Sequence, residues 1–245
     1  MNQLLEEVFV TRKFTNSKGQ KLDIHGETSK GQCLFIQDLI RRHKFTRSLE
    51  IGLAFGLSAL AIVEEIEKND GRHCAIDKFQ HADWGGNGLE LIRQSGYEEK
   101  FEFYEEFSYA VLPSLLSIGR HFDFVYIDST KVFDWLLVDF FFIDKMLDIG
   151  GIIVFDDTGY FSIRKLARLI QGLPHYKVVG SFPENIKPVM VNRVTGKLLS
   201  TPPFRHIFKG GLSYADYIKE INSGGCLAFQ KIGEDKRDWK WHRDF

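Results

Sequence analysis

The sequence predicts an α/β fold in which a doubly wound, mostly parallel sheet carries helices on both faces. Short apolar runs, RSLEI (47–51), HCAID (73–77), FEFYEE (101–106), FDFVYID (122–128) and GGIIVFDD (150–157), alternate with segments of helical length. Strands separated by helices pair in parallel through right-handed crossovers, and strands covered on both faces are apolar nearly throughout. The intervening segments close on Gly71, Gly96, Gly119 and Gly150, and glycine tolerates the left-handed turn that ends a helix.

Taken in order, residues 1–45 read as a helical extension. Within it GQCLFIQDLIRRH (31–43) spaces Leu34, Phe35, Leu39 and Ile40 helically and ends in a basic turn, Arg41 to Lys44, that suits a helix C-terminus. Residues 46–245 form one domain. Its α/β core occupies roughly residues 46–182 and is closed by CLAFQKI (226–232). Between them, residues 183–224 break the rhythm with four of the six prolines and several turn dipeptides. An insertion of about forty residues exceeds an ordinary connection and is expected to be a lid, an oligomer contact or a disordered loop.

A chain of 245 residues can bury a large single core. Its 32 basic and 33 acidic side chains leave a net charge of −1, so no global field recruits nucleic acid or an anionic membrane. The longest apolar stretch, FDWLLVDFFFIDKML, is broken by acids and a lysine and does not read as a membrane span. Cys33, Cys74 and Cys226 show no paired spacing, which points to a reducing compartment and no zinc site. The acidic start MNQLLEEVFV lacks a signal-peptide pattern, so the expected location is cytoplasmic.

Ligands of open α/β sheets bind beyond the carboxyl ends of the strands. Here those ends deliver Glu50, Asp77, Glu105 or Glu106, Asp128, and the pair Asp156–Asp157. Acids gathered at one rim repel one another unless cations or hydroxyl donors answer them. The loop Glu50-x-Gly52-x-x-x-Gly56-x-Ser58 lacks the middle glycine of a dinucleotide loop and sets an acid where a diphosphate would approach. That charge favours an ammonium or sulfonium ligand. Asp77, 25 residues past Gly52, is placed to accept hydrogen bonds from a ribose diol. A nucleoside with a cationic tail and no phosphate fits both features, and S-adenosylmethionine (SAM) is such a molecule.

LEIGLAFGLS (49–58) resembles the first motif of class I SAM-dependent methyltransferases, and AIDKFQ (75–80) their acidic second-strand motif. Residues 122–158 resemble their fourth and fifth strands, with spacing similar to the catechol and caffeoyl-CoA O-methyltransferase-like group and its bacterial relatives. The resemblance spans roughly residues 30–180 and implies a Rossmann-like, seven-stranded sheet with an insertion before the last strand. It makes Glu50, Gly52, Ala54, Gly56 and Ser58 the cofactor loop, sets Asp77 on the ribose, Ser108 near the adenine with Glu106 beside it, and brings Asp128 to the cofactor. In the metal-dependent members, an Asp after the fourth strand and an Asp-Asn pair after the fifth hold one divalent ion. Asp128, Asp156 and Asp157 match, with Asp157 departing from the usual amide. Such a set would hold Mg²⁺, Ca²⁺ or Mn²⁺ and lower the pKa of an acceptor hydroxyl. Lys131 matches the lysine of a D-x-x-K pattern, a candidate general base.

A metal-free reading stays open, in which Asp128 orients cofactor or substrate, Asp157 caps a helix near Tyr160 and Lys131 balances the acids. Trp84 is placed either to stack in the pocket or to anchor the next helix. The expected activity is methyl transfer from SAM to a hydroxyl of a small molecule. The alternatives are a metal-independent N- or sugar-O-methyltransferase and a non-catalytic SAM- or nucleoside-binding module. No nucleic-acid or membrane partner is expected, and homodimer formation stays open.

Overall fold

The computed structural model describes residues 1–25, 28–183 and 225–241. Apart from Pro183, the predicted insertion 183–224 lies outside the described residues. The chain opens with α1 (Gln3–Thr11), the antiparallel hairpin β1 (Lys13–Thr15) and β2 (Lys21–Asp23), and α2 (Lys30–His43). The predicted alternation follows: β3 (Arg47–Ile51), α3 (Leu57–Glu67), β4 (Arg72–Ile76), α4 (Asn87–Gln94), β5 (Phe101–Tyr104), α5 (Ser108–Ser117), β6 (Phe122–Ile127), α6 (Phe133–Met146), β7 (Leu147–Phe155) and α7 (Phe161–Gly172). β8 (Tyr176–Phe182) and β9 (Cys226–Lys231) end the sheet.

The strand order is β5-β4-β3-β6-β7-β9-β8. β3 to β7 run parallel, while β9 lies antiparallel between β7 and β8. This seven-stranded, Rossmann-like order is that of the class I methyltransferase fold. The direction of winding reverses at β3, which has β4 on one side and β6 on the other, so the crevice beyond β3 and β6 is the switch point.

Local chemistry sets the helices. α2 begins with a capping box: Ser29 accepts from the Gln32 amide at 3.3 Å, and the Gln32 side chain accepts from the Ser29 amide at 2.9 Å. On one face of the sheet, Ile36 and Ile40 of α2 and Ile62 and Ile66 of α3 bury with Phe124 and Tyr126 of β6. On the other, α5, α6 and α7 contribute Leu112, Leu136, Ile143 and Leu166. Each such fully buried aliphatic side chain contributes about 1.5–3 kcal/mol. The extension is therefore not helical alone: Leu5, Val8 and Phe14 pack α1 and the hairpin against Leu57 and Leu60 of α3.

Two expected helix ends differ. α6 passes directly into β7 at Leu147, leaving Gly150 inside the strand. After α3 the left-handed residue is Asp70 (φ 57°), and Gly71 instead makes room for a close backbone approach by Thr46. Among the described residues, no helix is long and apolar enough to cross a membrane.

Candidate functional site

At the switch point the chain leaves β3 through Gly52, whose φ is +94°. A Cβ there would lie 2.1 Å from the backbone oxygen of Asp128, so the ends of β3 and β6 approach as closely as they do because residue 52 has no side chain. The Gly52 amide donates to Ile76 O and the Asp128 amide to Ile51 O, both at 2.9 Å. Asp77 holds the loop in place. Its Oδ2 accepts from the amides of Leu53 and Ala54 at 2.9 and 3.0 Å, and its Oδ1 from that of Phe79 at 2.9 Å.

The loop faces a cavity of about 350 Å³, within the range of small-molecule sites. Gly52, Ala54, Asp77, Glu106, Ser108 and Asp128 all line it, with Trp84, Phe107 and Trp135 as its aromatic walls. Trp84 also packs edge-on against Phe55 of the loop. A smaller hollow of about 20 Å³ shares Gly52, Ala54 and Asp128 and brings in Thr28, Gly56 and Ser58.

Glu50 lines neither hollow. It is fully buried on the α3 side of β3, where Ser58 Oγ donates to its Oε1 at 2.5 Å and His73 Nε2 lies 3.3 Å from its Oε2. His73 Nδ1 in turn meets Ser48 Oγ at 2.8 Å. Burial raises the Glu50 pKa, against the opposing pull of His73 and Ser58. The expected direct contact is thus replaced by a brace: strand alternation turns Glu50 beneath the loop, where it ties the first turn of α3 to β3 and β4.

Beyond β6, Lys131 Nζ lies 2.7 Å from Asp128 Oδ1, 3.0 Å from Asp157 Oδ2 and 2.8 Å from Ser129 O. Burial pushes the Asp128 carboxyl up to about 7, with Lys131 pulling the other way. For Lys131, burial disfavours the charge, but the Asp128 and Asp157 carboxylates outweigh it and raise its pKa. The two carboxylates thus favour the charged form of Lys131, the lysine expected as a general base.

Asp156 is held by donors from other elements. Only 3% exposed, its Oδ1 accepts from Gln32 Nε2 at 2.6 Å and the Asp157 amide at 2.7 Å, and its Oδ2 from Tyr126 OH at 2.6 Å. Asp128, Asp156 and Asp157 do not converge on one point. Among the described residues, the trio of acid or imidazole groups whose ligand atoms all lie within 4.8 Å of one another is Asp144, His175 and Asp235. That trio sits at the opposite edge of the sheet, where β7 begins and β9 ends.

Sequence reasoning missed Thr28, Gln32, Phe107, Tyr126 and Trp135. Tyr126 carried a signal, a hydroxyl inside an apolar strand two residues before Asp128, hence on the same face. Gln32 carried none, because it reaches Asp156 across 124 positions of sequence.

Residues 49–158 match the family model described as a methyltransferase domain. The tapetum-specific methyltransferase 1 of Arabidopsis thaliana is 30% identical over 135 residues, covering 53% of this chain and 54% of that protein. The caffeoyl-CoA O-methyltransferase of Populus kitakamiensis is 28% identical over 160 residues, 62% of this chain and 61% of that protein. The chain thus spans little more than half the length of these curated relatives. Among solved structures, the O-methyltransferase from Bacillus cereus in complex with SAH, 17% identical, matches with a TM-score of 0.63 over 94% of this chain and 92% of that one. The O-methyltransferase TomG from Streptomyces achromogenes in complex with SAM, 16% identical, matches with a TM-score of 0.62 over 95% and 91%. At such identities these likenesses establish the fold.

Proposed function

From a chain whose residues 49–158 match a methyltransferase domain within the class I methyltransferase fold, we propose a SAM-dependent O-methyltransferase that acts on a small molecule. One observation carries the reading: the switch-point cavity is lined by the side-chain-free cradle at Gly52, with Asp77 on one wall and Asp128 on the other. An acid-rimmed cavity of this size suits a cationic nucleoside better than a pyrophosphate.

When bound, SAM supplies a methyl group on a sulfonium and leaves as a neutral thioether, S-adenosylhomocysteine (SAH). Asp77, with about one lone pair left by the three backbone amides, would accept from a ribose hydroxyl, and Ser108 and the aromatic walls would enclose the adenine. Ser58, Gly56 and Thr28 of the smaller hollow would meet the amino-acid end. Glu50 positions Ser58 rather than touching the ligand. Asp128, shared by both hollows, would accept the proton of the acceptor hydroxyl. The Lys131 ammonium would hold Asp128 and Asp157 in place beside the acceptor.

Three buried free thiols support a reducing, cytoplasmic location. The test of the activity is transfer of labelled methyl from SAM to a panel of small phenols, catechols and sugars, with matched amines as controls. Label on hydroxyl acceptors is the expected result, and label on amines alone would overturn the oxygen assignment.

A further inference from the structure

Three carboxylates at the ends of β6 and β7 need positive charge to offset their repulsion. A divalent ion shared among them requires all three to present free oxygen lone pairs to one point, and Mg²⁺ in particular demands near-octahedral oxygens at about 2.0–2.1 Å. Asp156 meets that requirement poorly. A carboxylate has roughly four lone-pair directions. Here Gln32 Nε2, the Asp157 amide and Tyr126 OH take three of them at 2.6–2.7 Å, and Cys226 Sγ stands 3.5 Å from Oδ1. Donors thus crowd Asp156 and leave it about one lone pair, on Oδ2, for any ion.

The remaining pair, Asp128 and Asp157, is bridged. An ammonium carries three donors, and those of Lys131 meet Asp128 Oδ1, Asp157 Oδ2 and Ser129 O at 2.7, 3.0 and 2.8 Å. The bridge needs a carboxylate at both ends, and the second is supplied by Asp157. An amide at that position would offer the ammonium an acceptor without charge. The residues present therefore fit an ammonium and do not fit a three-carboxylate divalent site.

We infer that the Lys131 ammonium, rather than a divalent metal ion, is the cation of the acceptor site, so that methyl transfer by this chain is metal-independent. The inference rests on the methyltransferase reading and specifies the chemistry of that same site.

The test is a titration of the full chain, saturated with SAH, by MnCl₂ followed by electron paramagnetic resonance and by MgCl₂ followed by calorimetry. The expected result is no saturable divalent site below about 1 mM, the range of marginal affinity. Saturable Mn²⁺ binding tighter than that, abolished by Asp128→Asn, would overturn the inference. Lys131→Met leaves Asp128 and Asp157 facing each other without a cation. This variant is expected to gain a Mg²⁺-dependent rise in melting temperature that the parent chain lacks, and a response as large in the parent chain counts against the ammonium. The heat of SAH binding, recorded in the same preparation, tests the methyltransferase reading separately: its absence would sink that reading, whereas Mn²⁺ binding lost in Asp128→Asn would sink only this one.

Discussion

Replacing Gly52 by alanine attacks the point where the cofactor loop and the end of β6 are packed together. Two costs add. An L-residue at φ +94° is strained by about 1–3 kcal/mol. The new Cβ would also lie 2.1 Å from Asp128 O and 2.8 Å from Asp128 C, which are backbone atoms with no rotamer to escape into. Relieving that overlap means separating the loop from β6 and weakening the bond from the Asp128 amide to Ile51 O, about 1 kcal/mol or more. The sum is roughly 2–4 kcal/mol, and at about 2–4 °C per kcal/mol for a chain of this size the melting temperature falls by roughly 10 °C.

Gly119→Ala is the control. Gly119 also has positive φ, +70°, but an added Cβ meets nothing within 4 Å, so only the backbone strain of about 1–2 kcal/mol is incurred. Differential scanning fluorimetry and urea unfolding would compare the two variants, with SAH affinity measured at a temperature where both are folded. Gly52→Ala is expected to be the less stable and to bind SAH at least about tenfold more weakly. Equal stability of the two variants with unchanged SAH affinity would refute the account of the loop.

Asp77→Ala removes the acceptor for three loop amides and the proposed ribose contact, so SAH binding should weaken by roughly 1–3 kcal/mol in calorimetry; undiminished affinity would remove the assignment. Glu50→Ala leaves His73 and Ser58 without their buried hydrogen-bond partner, and stability is expected to fall by about 1–3 kcal/mol. A melting temperature equal to that of the parent chain would contradict the brace. Burial pushes the Asp139 carboxyl up to about 6, with Ser108 opposing, against about 3.9 in the unfolded chain. The folded state then binds the proton more tightly, so this group's stabilising share is complete below about pH 4 and is lost as pH rises through 6. Asp139→Asn should therefore gain roughly 2–3 kcal/mol relative to the parent chain between pH 4 and pH 7 in urea unfolding. A difference that does not change with pH would exclude the titration.

The fold was legible because its signals are local. Apolar runs such as RSLEI and FDFVYID, set between segments of helical spacing, define strands and crossovers without knowledge of tertiary contacts. Gly52, Gly56 and Asp77 were legible for the same reason, since loop chemistry at a strand end follows from a handful of neighbouring residues. What escaped was the direction in which each acid points. Glu50 turns under the loop because His73 and Ser58, 23 and 8 positions away, receive it there. Asp156 turns inward because Gln32 and Tyr126, 124 and 30 positions away, donate to it. Lys131 was visible by its spacing from Asp128, but its charge state also depends on Asp157, which comes to it from the end of β7. Spacing along one chain locates a rim of acids, whereas the assignment of each acid to brace, base or cation partner is made by side chains from other elements.

The most direct test of the central claim is calorimetry of the full chain with SAH and, in parallel, with NAD. The account predicts a single saturable site for SAH, in the range of roughly 1–100 µM, and no heat with NAD. Saturable NAD binding without SAH binding would contradict it.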